Sequence, residues 1–317
     1  MPFLVTDKQV PQEGSLKSRS LALVLGLYAK LCHVRDGEGC QPPTAAVPWK
    51  RRRRTDGSTM VGTQQVRGPR RRVRSSGRDL RFYPRPNQYD PQNMILKALS
   101  TGERGCLYGR MESVVLKFGE VLWEPNDPIQ SACFVDSGMV SFVAEMRNGA
   151  TAEVGMIGRE GFVGTPLVLG AGASPLRAVV QIDGGGFRVE SDALRRILPA
   201  VPQLERMLHR YAHAQAMQVA QTAACNCLHQ VPERLARWLA MTHHLTGCEF
   251  LPLTQEFIAQ MLGCRRSSVT AAVGSLQRAG AIVCGRGQVR ILNPGLVESR
   301  ACECFGVMRR LCDLAVS

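Results

Sequence analysis

The sequence predicts an α+β protein, built as a double-stranded β-helix or jelly roll, one long helix, and a C-terminal winged helix-turn-helix. Three observations predict it. Short apolar runs punctuated by glycine fill residues 114–189. A long stretch with a helical apolar stripe follows Pro202. Two short amphipathic helices then meet at Gly263, with a Gly-flanked ribbon behind them. The expected organisation is a disordered basic tail over 1–93, the β-roll over 94–198, the long helix over 199–228, the winged helix-turn-helix over 229–300, and a C-terminal segment over 301–317.

The tail comes first. Of the net charge of +14 on 317 residues, residues 1–93 carry +11, from 18 basic and 7 acidic side chains. Arg51–Arg54 is one basic run, and Arg70–Arg74 holds four more arginines in five positions. Apolar periodicity stops after Cys32, so ordering this segment has nothing to repay its entropy. It reads as a basic arm on phosphates, as a solvated tail, or as codons upstream of a true start at Met94. On each reading it is dispensable for specific recognition. The remaining residues carry only +3, so overall charge is no argument that the globular part binds nucleic acid. Leu21–Ala29 resembles a short signal core but begins twenty residues in and has no A-x-A-type site after it. No window approaches about 18 uninterrupted apolar residues, which excludes a membrane-spanning helix. Twelve cysteines, several of them inside apolar runs, read as reduced thiols packed as small hydrophobes, hence a cytoplasmic protein.

Met94–Leu107 is a helical entry. The expected strands are Val114–Phe118, Val121–Trp123, Ala132–Val135, Met139–Ala144, Ala152–Ile157, Val163–Leu169, Ala178–Ile182 and Phe187–Val189, with Gly119, Gly138, Gly149, Gly158 and Gly164 at turns. Asp192–Ile197 is a short helix. The long helix runs from Pro202 to Leu228, with Leu204, Met207, Leu208, Tyr211 and Ala214 on one face. It is longer than the flank of a barrel needs, so its free face reads as a homodimer seam. Another helix starts at Pro232, with Leu235, Trp238 and Leu239 inward, and Gly247–Leu253 ends it.

Thr254 is a fitting N-cap for a helix whose apolar stripe is Ile258, Met261 and Leu262. Gly263 tolerates the positive φ of a sharp turn. A second helix opens near Arg265 with Arg266, Ser267 and Ser268, and buries Val269, Val273 and Leu276. That opening is the end that meets base edges in the major groove, where arginine pairs bidentately with guanine. Thr254, Gln255 and Thr270 complete the expected DNA surface. Ala281–Cys284, Gly285-Arg286-Gly287 and Gln288–Leu292 form the wing, from which Arg286 and Arg290 can reach phosphates.

On these residues the chain resembles the Crp/Fnr family of bacterial transcription regulators. In the β-roll the resemblance rests on Leu116-Lys117-Phe118-Gly119-Glu120-Val121-Leu122, Phe134–Val140 and Gly158-Arg159-Glu160-Gly161-Phe162-Val163-Gly164. In the DNA domain it rests on Leu253-Thr254-Gln255-Glu256 and Gly263–Val269. It implies a cytoplasmic homodimer paired through the long helix, double-stranded DNA as partner, RNA polymerase as a further partner, and a small-molecule effector of unknown identity. Arg266 falls where the family's guanine-reading arginine sits; Ser267 replaces the glutamate of many members. An effector pocket over Phe162, Gly164, Leu176, Arg177 and Ala178 is implied too. There Phe162 replaces the ribose-binding glutamate, Leu176 holds the phosphate position, and Arg177 is one residue off register, which argues against a cyclic nucleotide. The purely ligand-binding alternative is a regulatory module answering a small molecule through the roll.

No cofactor and no metal is expected. The family's iron–sulfur branch needs clustered cysteines before the barrel, whereas Cys32, Cys40 and Cys106 are isolated. Cys225-x-Cys227 and Cys302-x-Cys304 read as packing, because that spacing on a helix points the two thiols apart. His209 and His213 read as solvated helix histidines, and the sequence between them lacks the glutamate of a zinc-protease helix. No histidine lies between Met94 and Leu208, which excludes a cupin-type metalloenzyme, so no enzyme is expected.

Overall fold

A computed structural model describes residues 83–84 and 89–316. The two arginine runs, Cys32, Cys40 and Leu21–Ala29 lie outside the described residues, as does most of the expected tail.

Two short helices lead in, α1 (Met94–Ala98) and α2 (Thr101–Tyr108). Each is opened by a side-chain oxygen that accepts a first-turn N–H: Asn93 from Leu96 at 3.1 Å, Ser100 from Glu103 at 3.3 Å. The roll follows as β1 (Met111–Leu116), β2 (Val121–Trp123), β3 (Ser131–Glu145), β4 (Thr151–Ile157), β5 (Phe162–Val163) and β6 (Arg177–Glu190). Its sheet is ordered β1-β6-β3-β4, with β2 also on β6 and β5 on β3, all antiparallel.

The eight expected runs are therefore six strands, two of them long. Gly138 does not end a strand. It bends β3 at φ 79°, where a Cβ would sit 2.5 Å from the Ile182 carbonyl oxygen. Opposite it, a Cβ on Gly184 would lie 2.0 Å from the Ser137 oxygen. The two strands bend together there, so each needs glycine where the other's backbone presses in. Val163–Leu169 is not a strand either. Only Phe162–Val163 pairs, and Thr165–Val168 forms a short helix, α3, with Pro166 in its first turn.

The packed structure begins earlier than Met94, which corrects the boundary of the tail. Tyr83 is buried, and its hydroxyl donates to the buried carboxylate of Asp136. Its ring occupies the space that a side chain on Gly185 would fill. Asp136 also accepts from the backbone N–H groups of Gln92 and Asn93. The Asn93 amide donates to the carbonyls of Val135 and Gly161, each at 2.8 Å. Residues 83–93 are polar and aperiodic, so no apolar stripe announces them. Those the structure describes dock through hydrogen bonds to the bent strands, among them bonds to backbone carbonyls.

From the roll the chain passes through α4 (Ser191–Ile197) into α5 (Pro202–Leu228), whose bounds match the expectation. Leu204, Met207, Leu208 and Tyr211 join Phe134, Phe162 and Phe187 in one core. α6 (Val231–Thr246) opens on a reciprocal cap between Gln230 and Glu233 and ends at Gly247 in the left-handed region. Then come β7 (Phe250–Leu251), α7 (Gln255–Leu262), α8 (Arg266–Arg278), β8 (Ile282–Gly285), β9 (Gln288–Ile291), α9 (Pro294–Arg300) and α10 (Cys304–Val316). The C-terminal segment is thus helical, and α10 packs along α5.

A second core joins the two halves. Met139, Val143, Met156, Val179 and Ile182 project from the sheet into the same cluster as Trp238, Leu239, Met261, Val269 and Leu276. Glu153 is buried in this seam. It accepts from the Trp238 indole N–H at 2.8 Å and from the Ser141 hydroxyl at 2.7 Å. Burial pushes its carboxyl up to about 7, against the pull of the Ser141 and Trp238 hydrogen bonds and the Arg237 charge. Burial raises Glu160 to about 7 as well.

Two outcomes follow from this packing. Asn93→Ala strips the partner from two buried carbonyls and removes the α1 cap, so denaturant unfolding should show a loss of about 2–4 kcal/mol. A chain starting at Met94 should be destabilised at least as much. Equal stability of either variant with the full chain would refute the docking of Tyr83 and Asn93. For Glu153 the folded state holds the proton more tightly than the unfolded chain does. That stability is present below pH 4.5 and is lost as pH rises through about 7. Thermal midpoints should fall across this window by an amount worth up to about 3 kcal/mol per such carboxyl. Glu153→Gln should flatten the fall, leaving the share due to Glu160; an unchanged slope would count against the assignment.

Candidate nucleic-acid interface

The helix-turn-helix is α7 and α8. Thr254 caps α7 by accepting the Phe257 N–H at 3.1 Å. Gly263 makes the turn at φ 59°, so a residue with a side chain is disfavoured there. Arg265 is the N-cap residue of α8 and Arg266 its first helical residue. Val269, Ala272, Val273 and Leu276 are the buried face of α8 and hold it against α7 and α6. The opposite face is exposed at Arg265, Arg266, Ser267 and Thr270, with Ser268 half-buried. Thr270 Oγ1 lies 2.8 Å from Gln255 Oε1 and 3.0 Å from the Arg266 carbonyl, which ties the start of α7 to the first turn of α8. Arg266 is held loosely, with Nε 3.9 Å from Glu256 Oε2 and the side chain 68% exposed. Such a surface pair is worth about 0–1 kcal/mol and yields readily to a better acceptor. The α8 N-terminus adds the positive end of a helix dipole on the same side.

The wing is the three-stranded sheet β7-β9-β8. Gly285 pairs with Gln288, leaving Arg286 and Gly287 as a two-residue loop, with Gly287 at φ 71°. Arg286 is exposed at this tip. Arg290 is engaged. Its guanidinium lies 4.6 Å over the ring of its cross-strand neighbour Phe250, with Glu249 at 3.9 Å. It braces the wing more than it extends from it.

The five residues expected at an effector pocket fall on two stretches of the roll, Phe162 and Gly164 on one and Leu176, Arg177 and Ala178 on the other. Phe162 pairs with Phe134 on β3, whereas Ala178 and Arg177 pair with Phe142 and Val143. β3 bends at Gly138 between the two places. Phe162 is wholly buried, its ring 4.9 Å from that of Phe134. Gly164 is pressed against Ala132, and Ala178 is core. The Leu176 carbonyl accepts the Trp123 indole N–H at 2.9 Å. Arg177 is claimed by two carboxylates, Glu124 at 2.7 Å and Glu145 at 2.9 Å. A cavity of about 280 Å³ in the roll is lined by Glu120, Trp123, Ser131, Cys133, Val163 and Arg188 among others, so it borders the expected place at Val163, between Phe162 and Gly164, and at Trp123, the partner of Leu176. Arg188 is itself paired with Glu112.

His209 and His213 are exposed on α5. Cys225, Cys302 and Cys304 are buried, as packing requires, but not separately: the three sulfurs converge with the His229 ring. The Cys302 thiol beside Cys225 holds the Cys225 thiol well below its ordinary range. Neither C-x-C spacing announces this, since the partners stand 77 residues apart.

Beyond residue 213, α5 exposes Ala216, Met217, Ala220, Ala223, Ala224 and Leu228, a run of small and apolar side chains.

Residues 113–200 match the cyclic nucleotide-binding domain family, and residues 233–299 match the Crp-like helix-turn-helix domain family. No curated protein matches the chain. Among solved structures, the c-di-GMP-responsive global regulator of Xanthomonas campestris is similar at 17% identity and TM-score 0.51. That match covers 61% of this chain and 99% of the other. A Crp/Fnr-family regulator from Eubacterium rectale is similar at 15% identity and TM-score 0.53, covering 68% and 98%. At these identities the likeness is one of fold. The two domain matches, in this order and joined by the long helix, carry the assignment: the chain belongs to the Crp/Fnr family of transcription regulators.

Proposed function

We propose that the protein is a cytoplasmic homodimer that reads a two-fold DNA operator through α8, one copy per half-site, and acts on RNA polymerase from there. The observation that carries this reading is the exposed α8 N-terminus. Arg265, Arg266 and Ser267 are exposed there on a helix whose other face is packed, and Arg286 is exposed at the wing tip. The exposed small and apolar residues of α5 support the dimer, because such side chains let two helices approach closely and an exposed apolar stripe is costly to leave in water. The half-sites then lie about 34 Å apart, one helical turn of DNA. Ser267 offers a short hydroxyl where a longer acidic group would read cytosine, so the preferred operator differs at that base pair.

Cyclic AMP and cyclic GMP do not tune this regulator. Phe162 fills its own site with core packing, and Arg177 is already neutralised by Glu124 and Glu145. A buried cyclic phosphate without a cationic partner would be strongly disfavoured.

Arg266→Ala should weaken operator binding by about 1–3 kcal/mol and relax the preference at one base pair per half-site. Selection from randomised DNA with wild type and variant measures it; an unchanged preference, or a monomer on DNA, would rule the reading out. Titration calorimetry with either cyclic nucleotide should show no binding in the micromolar range, and a micromolar Kd would overturn the second statement.

A further inference from the structure

The link between the long helix and the DNA-binding domain is residues 229–230, and a cluster that neither domain match covers sits on it. Cys225 is in the last turn of α5, and His229 is the cap residue four positions on, on the same side of the helix. Cys302 lies between α9 and α10, and Cys304 opens α10. The four donor atoms all fall within 4.8 Å of one another. We propose that Cys225, His229, Cys302 and Cys304 form a tetrahedral Zn²⁺ site that staples the C-terminal helix to the hinge above the DNA-binding domain.

Three thiols and one imidazole are a donor set suited to a borderline-soft ion that imposes no geometry of its own. Bond lengths of about 2.3 Å to sulfur and 2.0–2.1 Å to nitrogen put tetrahedral edges near 3.8 Å for S···S and 3.6 Å for S···N. Cys225 Sγ and Cys302 Sγ are 3.5 Å apart, and Cys304 Sγ is 3.6 Å from His229 Nδ1. A disulfide would need the sulfurs at about 2.05 Å. An iron–sulfur cluster, whose thiolates bind different irons, would spread the ligands wider than a single ion does.

The surroundings fit as well. His229 Nε2, the nitrogen turned away from the sulfurs, lies 3.1 Å from Glu303 Oε2. Metal-bound imidazoles commonly donate their second N–H to a carboxylate, which fixes the tautomer and raises the basicity of the ligating nitrogen. The Gln221 amide donates to Cys304 Sγ at 3.0 Å, as it would to a thiolate. Cys225, Cys302 and Cys304 are buried, whereas the His229 side chain is 18% exposed and marks the side of entry. Cys227, two residues from Cys225, points outward and takes no part. Binding releases the thiol protons to solvent and involves no change of oxidation state.

The test uses full-length protein purified from zinc-supplemented cells without chelator. One zinc per chain is expected by elemental analysis, falling to a small fraction in Cys225→Ser and Cys304→Ser and remaining at one in Cys227→Ser. Glu303→Ala should weaken zinc affinity about 10–100-fold without abolishing it. Should the serine variants not fold, metal-stripped wild type titrated with Co²⁺ gives an independent readout. Thiolate-to-cobalt charge transfer and the intense visible bands of a tetrahedral ion should saturate at one equivalent. Protein without stoichiometric zinc, a Co²⁺ spectrum lacking those bands, bound iron with a cluster's visible absorption, or a Cys225–Cys302 disulfide in the fresh protein would each overturn the site. Loss of operator affinity on stripping, restored by zinc, is expected in addition. That arm rests on the DNA-binding reading above, whereas stoichiometry and spectrum report on the site whether or not any DNA binds.

Discussion

The Trp238 indole N–H on the Glu153 carboxylate is the contact on which the placing of the DNA-binding half depends. The seam around it is apolar, with Met139, Val143, Met156, Val179 and Ile182 on the sheet facing Leu239, Met261 and Leu276. Apolar contact is not directional, so it holds the two faces together without by itself selecting one register. A buried carboxyl cannot be left without partners, and its hydrogen bonds are directional. Glu153 lies between Ser141 on one side and Trp238 on the other, which fixes α6 in one register. α6 in turn carries α7 and α8, so the register set inside the seam is passed on to the reading helix. Gly263 shows how close the fit is: a Cβ there would come within 3.3 Å of the Ala152 side chain on β4.

What was legible in the sequence was what local chemistry decides. Pro202 and the apolar stripe set the bounds of α5, and Thr254, Gly263 and the arginines of 265–266 set the helix-turn-helix within a residue. The strands of the roll were legible as apolar runs but not as lengths. Whether Gly138 turns a strand or bends it depends on what lies opposite, and the answer is Gly184, 46 positions away. Tyr83 and Asn93 were invisible for the same reason. Their partners are Asp136, Val135 and Gly161, and nothing periodic marks a residue whose work is to satisfy distant backbone groups. The cysteine and histidine cluster is the extreme case. The Cys225-x-Cys227 pair sends one thiol toward the cluster and the other outward, whereas Cys302 and Cys304 both enter it, because Cys302 stands before the helix that Cys304 opens.

The roll matches the cyclic nucleotide-binding domain family over 113–200, and Phe162 stands in its core. With Phe134 and Phe187 it packs the space between the bent strands and α5. Arg177 keeps a cation near the expected place but spends it on β2 and β3, joining Glu124 to Glu145 across the sheet edge. A guanidinium with 13% side-chain exposure and two carboxylates gains nothing from a third anion. The cavity that remains, about 280 Å³ around Glu120, Trp123, Ser131 and Arg188, is lined by both signs of charge.

These facts bear on where a signal can act. The DNA-binding half is held to the rest at two places. One is the seam, through α6 and α7 on β3 and β4. The other is the hinge, where α10 returns along α5 and brings Cys302 and Cys304 back to Cys225 and His229. Two attachments resist rotation as one cannot, because turning about either moves the other. An input confined to the roll must therefore work through the seam, where a large buried apolar contact makes small displacements costly. The hinge is built differently: four donor side chains meet there in place of an apolar face, and the His229 side chain is partly open to solvent. Its chemistry is therefore reachable from outside in a way that the interior of the seam is not.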